Sequence, residues 1–98
     1  MKIITEAAAG TVESNDIIVK IEPSDKEGIE VFLTSNVMQQ YGKQIEKVIR
    51  DTLAELGVEK ARVEATDKGA LDCTVKARTT TAVYRAAQST DYEWRAQA

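Results

Sequence analysis

The spacing of the hydrophobic residues changes near residue 36, and this change most constrains the fold. In residues 17–21 and 29–33 apolar and polar side chains alternate, as in strands that bury one face. In residues 37–56 the apolar side chains recur at steps of three and four, as on one face of a helix. That helix is about 30 Å long, enough to cross a small sheet. Its apolar stripe consists of Val37, Tyr41, Ile45, Val48, Ile49, Leu53 and Leu56.

Residues at both ends of this helix match helix-boundary preferences. Asn36 is predicted to be the N-cap, with Gln39 at the third helical position completing an approximate capping box. Gly57 stands where a left-handed residue commonly ends a helix.

The remaining segments predict further strands and a second helix. Residues 3–12 are interpreted as an extended edge that forms an antiparallel meander with the strands at 17–21 and 29–33. Residues 62–66 and 71–77 alternate again and predict a second hairpin.

Gly69 takes the strained position of that second turn, and residues 78–88 predict a short helix. The predicted fold is therefore α+β: a small antiparallel sheet of two hairpin units packed against one long helix, with a short C-terminal helix. The side chains expected to face the long helix are Val63, Ala65, Leu71, Cys73 and Val75.

Length and charge narrow the possible classes of protein. Ninety-eight residues predict a single domain, 1–98, in which residues 89–98 form a flexible tail whose Trp94 either docks on a partner or packs locally. A net charge of -3 and scattered aromatic residues argue against nucleic acid as a partner. No apolar run approaches the ~20 residues of a membrane-spanning helix, and the first residues do not resemble a signal peptide. We expect a cytoplasmic protein with no membrane contact.

The residue inventory offers little catalytic chemistry. The chain contains no histidine and one cysteine, Cys73, which is predicted to be a small core residue because it has neither a disulfide partner nor a histidine to activate it. No metal cluster, phosphate loop or catalytic dyad is found.

A polar turn, residues 10–16, separates the first two predicted strands. Asparagine and aspartate in such a position predict a hairpin tip, which would expose Ser14. The neighbouring carboxylates of Glu13 and Asp16 are weak bases at neutral pH, so the residues alone predict an ordinary turn serine.

Two motifs nevertheless carry a family resemblance, which extends from the N-terminus to about Ala87. The first is the segment 9–16, and the second is the segment 67–73 followed by Ala77-Arg78. With these motifs the chain resembles the acyl carrier protein, or gamma subunit, of citrate lyase. It lacks the Asp-Ser-Leu helix start of the four-helix fatty-acid carriers.

This resemblance implies that Ser14 carries 2'-(5''-phosphoribosyl)-3'-dephospho-coenzyme A through a phosphodiester. Gly10, Glu13, Asn15 and Asp16 would form the flanking recognition turn. Asn15 replaces a residue that is commonly small in the family, but asparagine tolerates the left-handed conformation. A separate prosthetic-group transferase would activate the Ser14 hydroxyl.

The resemblance also implies the partners. The carrier would hold acetyl as a thioester, exchange it for citryl on the alpha subunit (acyl transferase), and present citryl to the beta subunit (citryl lyase). The chain itself would be a carrier without catalytic activity. A carrier of citramalate lyase and an unmodified protein-interaction subunit remain the alternatives.

Overall fold

The computed structural model describes residues 1–88 and shows an α+β domain, as the sequence predicts. Four strands form one mixed sheet in the order β1-β2-β4-β3, and two helices pack on it. The strands are β1 (Ala7–Gly10), β2 (Ile17–Glu22), β3 (Gly28–Ser35) and β4 (Lys60–Asp67), and the helices are α1 (Met38–Glu55) and α2 (Asp72–Ala86). The predicted tail with Trp94 lies outside the described residues.

The strand order corrects the predicted meander. Strands β1 and β2 form the expected antiparallel hairpin, but β2 does not pair with β3. Instead β4 lies between them, antiparallel to β2 and parallel to β3. The physical reason is α1, because a helix joining two strands acts as a crossover that brings the second strand alongside the first in parallel.

The predicted second hairpin is also wrong, since residues 72–77 begin α2 instead of forming a strand. The buried side chains of α2 follow helical spacing: Val75, Thr79, Ala82, Val83 and Ala86. Leu71 is 72% exposed and Cys73 is exposed, so the prediction that both face the core is wrong. Gly69 has the predicted positive φ, 92°, but its turn joins a strand to a helix.

The ends of α1 match the sequence prediction only in part. The N-cap is Val37, whose amide donates to the Ser35 hydroxyl over 3.1 Å, so the predicted Asn36 cap is wrong. At the other end Gly57 has the expected left-handed φ of 70°, and its amide donates to the Ala54 carbonyl.

The core lies between the helices and one face of the sheet. In β2 and β4 every second side chain is buried, while the residues between them are partly exposed. Helix α2 packs on β1 and β2, α1 packs on β3, and the two helices contact each other. The opposite face of the sheet carries ion pairs such as Lys20 with Glu6 and Glu64. Within residues 1–88 no helix is long and apolar enough to cross a bilayer.

Candidate functional site

Ser14 lies exposed in the turn that joins β1 to β2, as the sequence predicts. The Asp16 amide donates to the Glu13 carbonyl over 3.2 Å, which closes a turn with Ser14 and Asn15 at its centre. Asn15 has a φ of 66°, so it adopts the left-handed conformation expected of it. The turn thus presents the Ser14 side chain to solvent from a hydrogen-bonded backbone.

The carboxylate of Asp16 is the main structural anchor of this turn. It accepts hydrogen bonds from the Thr11 hydroxyl at 2.7 Å and from the Ile17 amide at 2.7 Å. The Arg78 guanidinium adds two more, from Nε at 3.1 Å and from Nη2 at 3.0 Å. The hydrogen bonds from Arg78 first, and then those from Thr11 and the Ile17 amide, lower the pKa of Asp16 to about 2. At this pKa, and with its oxygens engaged by these donors, the Asp16 carboxylate is a poor general base for Ser14.

The loop between β4 and α2 holds the other side of the turn. The Asn15 amide donates to the Lys68 carbonyl over 2.8 Å, and the Lys68 amide donates to the Asp16 carbonyl over 2.8 Å. Gly69 packs against the same turn, because a Cβ placed on it would lie 3.6 Å from the Asn15 Oδ1. The two sequence motifs, far apart in the chain, therefore meet here.

Asp67 shapes this loop from within the core. Its carboxylate is fully buried and accepts hydrogen bonds from the Ser35 hydroxyl at 2.9 Å and from the amides of Gly69 and Ala70, each at 3.0 Å. A buried carboxylate needs such donors, since an unpartnered one is costly. Asp67 thus fixes the loop that in turn fixes the Ser14 turn.

Gly10 sets the base of the turn. Its φ is 102°, and a Cβ at this position would lie 1.8 Å from the Ile17 carbonyl oxygen. Only glycine fits this close approach of two backbones.

Sequence reasoning assigned Ser14 and its neighbours but gave no role to Asp67, Lys68 or Arg78. All three belong to the second resemblance motif, which was the available signal. Their contribution became visible only with the start of α2, since a helix from Asp72 places Arg78 beside Asp16.

Ser14 has little support for nucleophilic catalysis among the described residues. Nucleophilic catalysis by serine requires an adjacent base, yet the chain has no histidine and the carboxylate of Asp16 is engaged. Among residues 1–88 no group of three His, Cys, Asp or Glu side chains could hold a metal ion. An exposed hydroxyl on a fixed turn can instead be modified by another protein.

A structural comparison agrees with the fold. The domain resembles part of a homoserine kinase from Cytophaga hutchinsonii, with a TM-score of 0.58 at 18% sequence identity, over 87% of this chain and 34% of that one. At this identity the likeness concerns the fold alone.

Sequence comparisons identify the family. The family model for the malonate decarboxylase delta subunit (MdcD) matches residues 4–86. A citrate lyase acyl carrier protein from Streptococcus mutans is 59% identical over 97% of this chain and 93% of its own length. Citrate lyase acyl carrier protein 2 from Salmonella typhimurium is 52% identical over 98% of this chain and 99% of its own length. This chain belongs to the citrate lyase acyl carrier protein family.

Proposed function

We propose that the chain is the acyl carrier subunit of a citrate lyase and that Ser14 is its attachment residue. The observation that carries this proposal is the exposure of Ser14 at the centre of a turn clamped by Arg78 and by the Lys68 backbone. The family membership supports the carrier role, and the turn supplies a fixed and accessible hydroxyl.

The proposed group on Ser14 is 2'-(5''-phosphoribosyl)-3'-dephospho-coenzyme A, which would supply a terminal thiol that holds an acyl group as a thioester. The residues around Ser14 fit such a group because Ser14 is exposed and the flanking Thr11, Glu13 and Asn15 are also exposed. The chain's own part is to hold the backbone still while a prosthetic-group transferase activates the hydroxyl.

The flanking carboxylates then have different roles. The carboxylate of Asp16 is occupied by Arg78 and Thr11, so Asp16 orders the turn. Glu13 is exposed, which leaves its carboxylate accessible to the transferase. Gly10 and Asn15 supply the backbone conformation.

The proposed partners are an alpha subunit that transfers the acyl group and a beta subunit that cleaves citryl. A tethered thioester reaches each active site at an effective concentration of about millimolar, which exceeds that of a dilute free ester. The carrier therefore needs reach and a firm attachment point, and it leaves carbon–carbon cleavage to its partners.

The test of attachment is the intact mass of the carrier after incubation with the transferase and the prosthetic-group precursor. Wild-type carrier should gain the mass of the prosthetic group, and Ser14→Ala should not. Cys73→Ser is the matched control, because it removes the exposed thiol and should still be modified. A modified Ser14→Ala carrier would refute the assignment, and an unmodified wild-type carrier would favour a protein-interaction subunit.

The test of function is reconstitution with the two partner subunits. Modified carrier with an acetylated arm should support oxaloacetate formation from citrate, because citryl replaces acetyl on the thioester and acetyl leaves as acetate. Unmodified carrier and Ser14→Ala should not. An equal rate without any carrier would contradict the carrier role.

A further inference from the structure

A groove of about 670 Å³ lies between the first turns of α1 and the start of α2. We call it the α1–α2 groove. Its volume falls within the range of about 300–1,000 Å³ that is common for small-molecule sites. Its apolar walls are Val37, Tyr41 and Ile45 on one side and Ala70, Leu71 and Cys73 on the other.

Large hydrophobic side chains at this groove remain in water. Tyr41 is 55% exposed and Leu71 is 72% exposed, and both line the groove. Leu71 is more exposed than the other large hydrophobic side chains that residues 1–88 leave in solvent. Two such side chains facing one concave surface are typical of a binding site for a partly apolar ligand.

The position of the groove points to its occupant. Its lining includes Gly69, which packs against Asn15, the residue next to Ser14. The Asn15 amide is also bonded to the Lys68 carbonyl, one residue before Gly69. A flexible group attached to Ser14 would therefore start beside this groove and would reach it without leaving the protein surface.

The charge of the groove favours one kind of acyl group. Asp72 is the one charged residue among the described residues that line it, and its carboxylate accepts a hydrogen bond from the side-chain Nε2 of Gln44 at 2.9 Å. A carboxylate without a cation in the lining repels negative acyl groups but tolerates neutral ones.

We propose that the α1–α2 groove binds the thioester end of the arm when its acyl group is acetyl, and does not retain it when the acyl group carries carboxylates. This inference rests on the proposed attachment at Ser14. The acetyl thioester would be sheltered from water between turnovers, whereas a citryl thioester would stay in solvent, available to a partner.

Cys73 provides a native reporter, because its exposed thiol lines the groove. Carriers are prepared unmodified, with an acetylated arm and with a succinylated arm, by supplying the transferase with an already acylated group. Alkylation of Cys73 by iodoacetamide is then followed by peptide mass spectrometry. The acetylated carrier should react about fivefold more slowly than the unmodified one, as for a groove occupied about four fifths of the time. The succinylated carrier should react at nearly the unmodified rate.

Two variants at the groove and one control sharpen this test. In Leu71→Asp the unmodified and acetylated carriers should be alkylated at equal rates. In Ile4→Asp the roughly fivefold difference should remain, since Ile4 is 53% exposed and does not line the groove. Asp72→Asn should let the succinylated arm protect Cys73. Because each comparison is a ratio within one variant, a change in the intrinsic reactivity of the thiol cancels.

The possible failures can be told apart. Equal alkylation of the unmodified and acetylated wild-type carriers, with the arm's mass mapped to the Ser14 peptide, would overturn the groove proposal and leave the attachment intact. Strong protection by a succinyl group in the wild type would overturn its charge selectivity. An arm mapped to another residue would overturn the proposed attachment and this inference together.

Discussion

At Gly10 the backbone leaves no room for a side chain. Gly10→Ala should lower the free energy of unfolding by about 3–4 kcal/mol, because it combines a positive φ with a clash against the Ile17 carbonyl. Gly28→Ala is the matched control: Gly28 also has a positive φ, 89°, but an added Cβ would have no neighbour within 4 Å. It should cost about 1–2 kcal/mol. Urea denaturation of both variants measures the difference, and equal losses would contradict the clash.

Asp16 makes the Ser14 turn sensitive to acid. Its pKa is lowered from 3.8 to about 2 by Arg78 and its other donors, so the carboxylate binds protons more weakly in the folded state. Its stabilising contribution is therefore complete above pH about 4 and is lost as the pH falls through 2. As the pH falls from about 4 to 2, we expect hydrogen exchange at the Asn15 and Lys68 amides of the wild type to become faster, after correction for intrinsic rates.

In Asp16→Asn the Asn15 and Lys68 amides should exchange faster already at neutral pH, since the variant lacks the carboxylate that Arg78 binds. Their exchange should show no further increase between pH about 4 and 2. Glu13→Gln is the control, because Glu13 is an exposed carboxylate in the same turn. An unchanged acid transition in Asp16→Asn would assign it to another group.

Single residues also show which features of the site can be predicted from the sequence. The exposure of Ser14 and the left-handed Asn15 follow from local turn preferences, which a few adjacent residues determine. The pairing of Asp16 with Arg78 spans 62 positions of the chain and depends on where α2 begins. No local pattern contains that information.

At the scale of elements, the start of α2 is the point at which the sequence pattern misleads. Leu71, Cys73 and Val75 alternate with polar residues, as in a strand. The same segment also fits a helix, in which only Val75 of the three is buried. In so short a segment the spacing of apolar residues cannot distinguish a strand from a helix. The sequence predicts helix α1. It does not show that the crossover through α1 determines the strand order, so the predicted order is wrong.

A pair of substitutions distinguishes the helix from the strand. Val75→Ala should lower the free energy of unfolding by about 1–3 kcal/mol, because Val75 is fully buried. Cys73→Ala should change it by less than about 0.5 kcal/mol, because Cys73 is exposed in the first turn of α2. In a strand both side chains would face the core and both substitutions would be costly. Thermal or chemical denaturation of the two variants gives the answer.

At the scale of the whole molecule, the Ser14 turn and the hydrophobic core are separate parts of the domain. The turn is fixed by backbone and side-chain hydrogen bonds. The core lies on one face of β2 and β4, and their other face is charged. Removing one exposed hydroxyl should therefore leave the fold and the remaining surface unchanged. A carrier without an arm would keep any partner contacts made by the protein body.

Ser14→Ala carrier should consequently inhibit a reconstituted lyase. Added in excess to acetylated wild-type carrier and the two partner subunits, it should occupy their docking sites and lower the rate of oxaloacetate formation as its share of the carrier pool rises. An equal excess of acetylated wild-type carrier is the control and should sustain the rate. The dose dependence separates two modes of recognition: inhibition in proportion to the Ser14→Ala fraction means that the partners bind the folded body. An unchanged rate at large excess would instead mean that they recognise the arm alone, and the domain would then act only as its anchor.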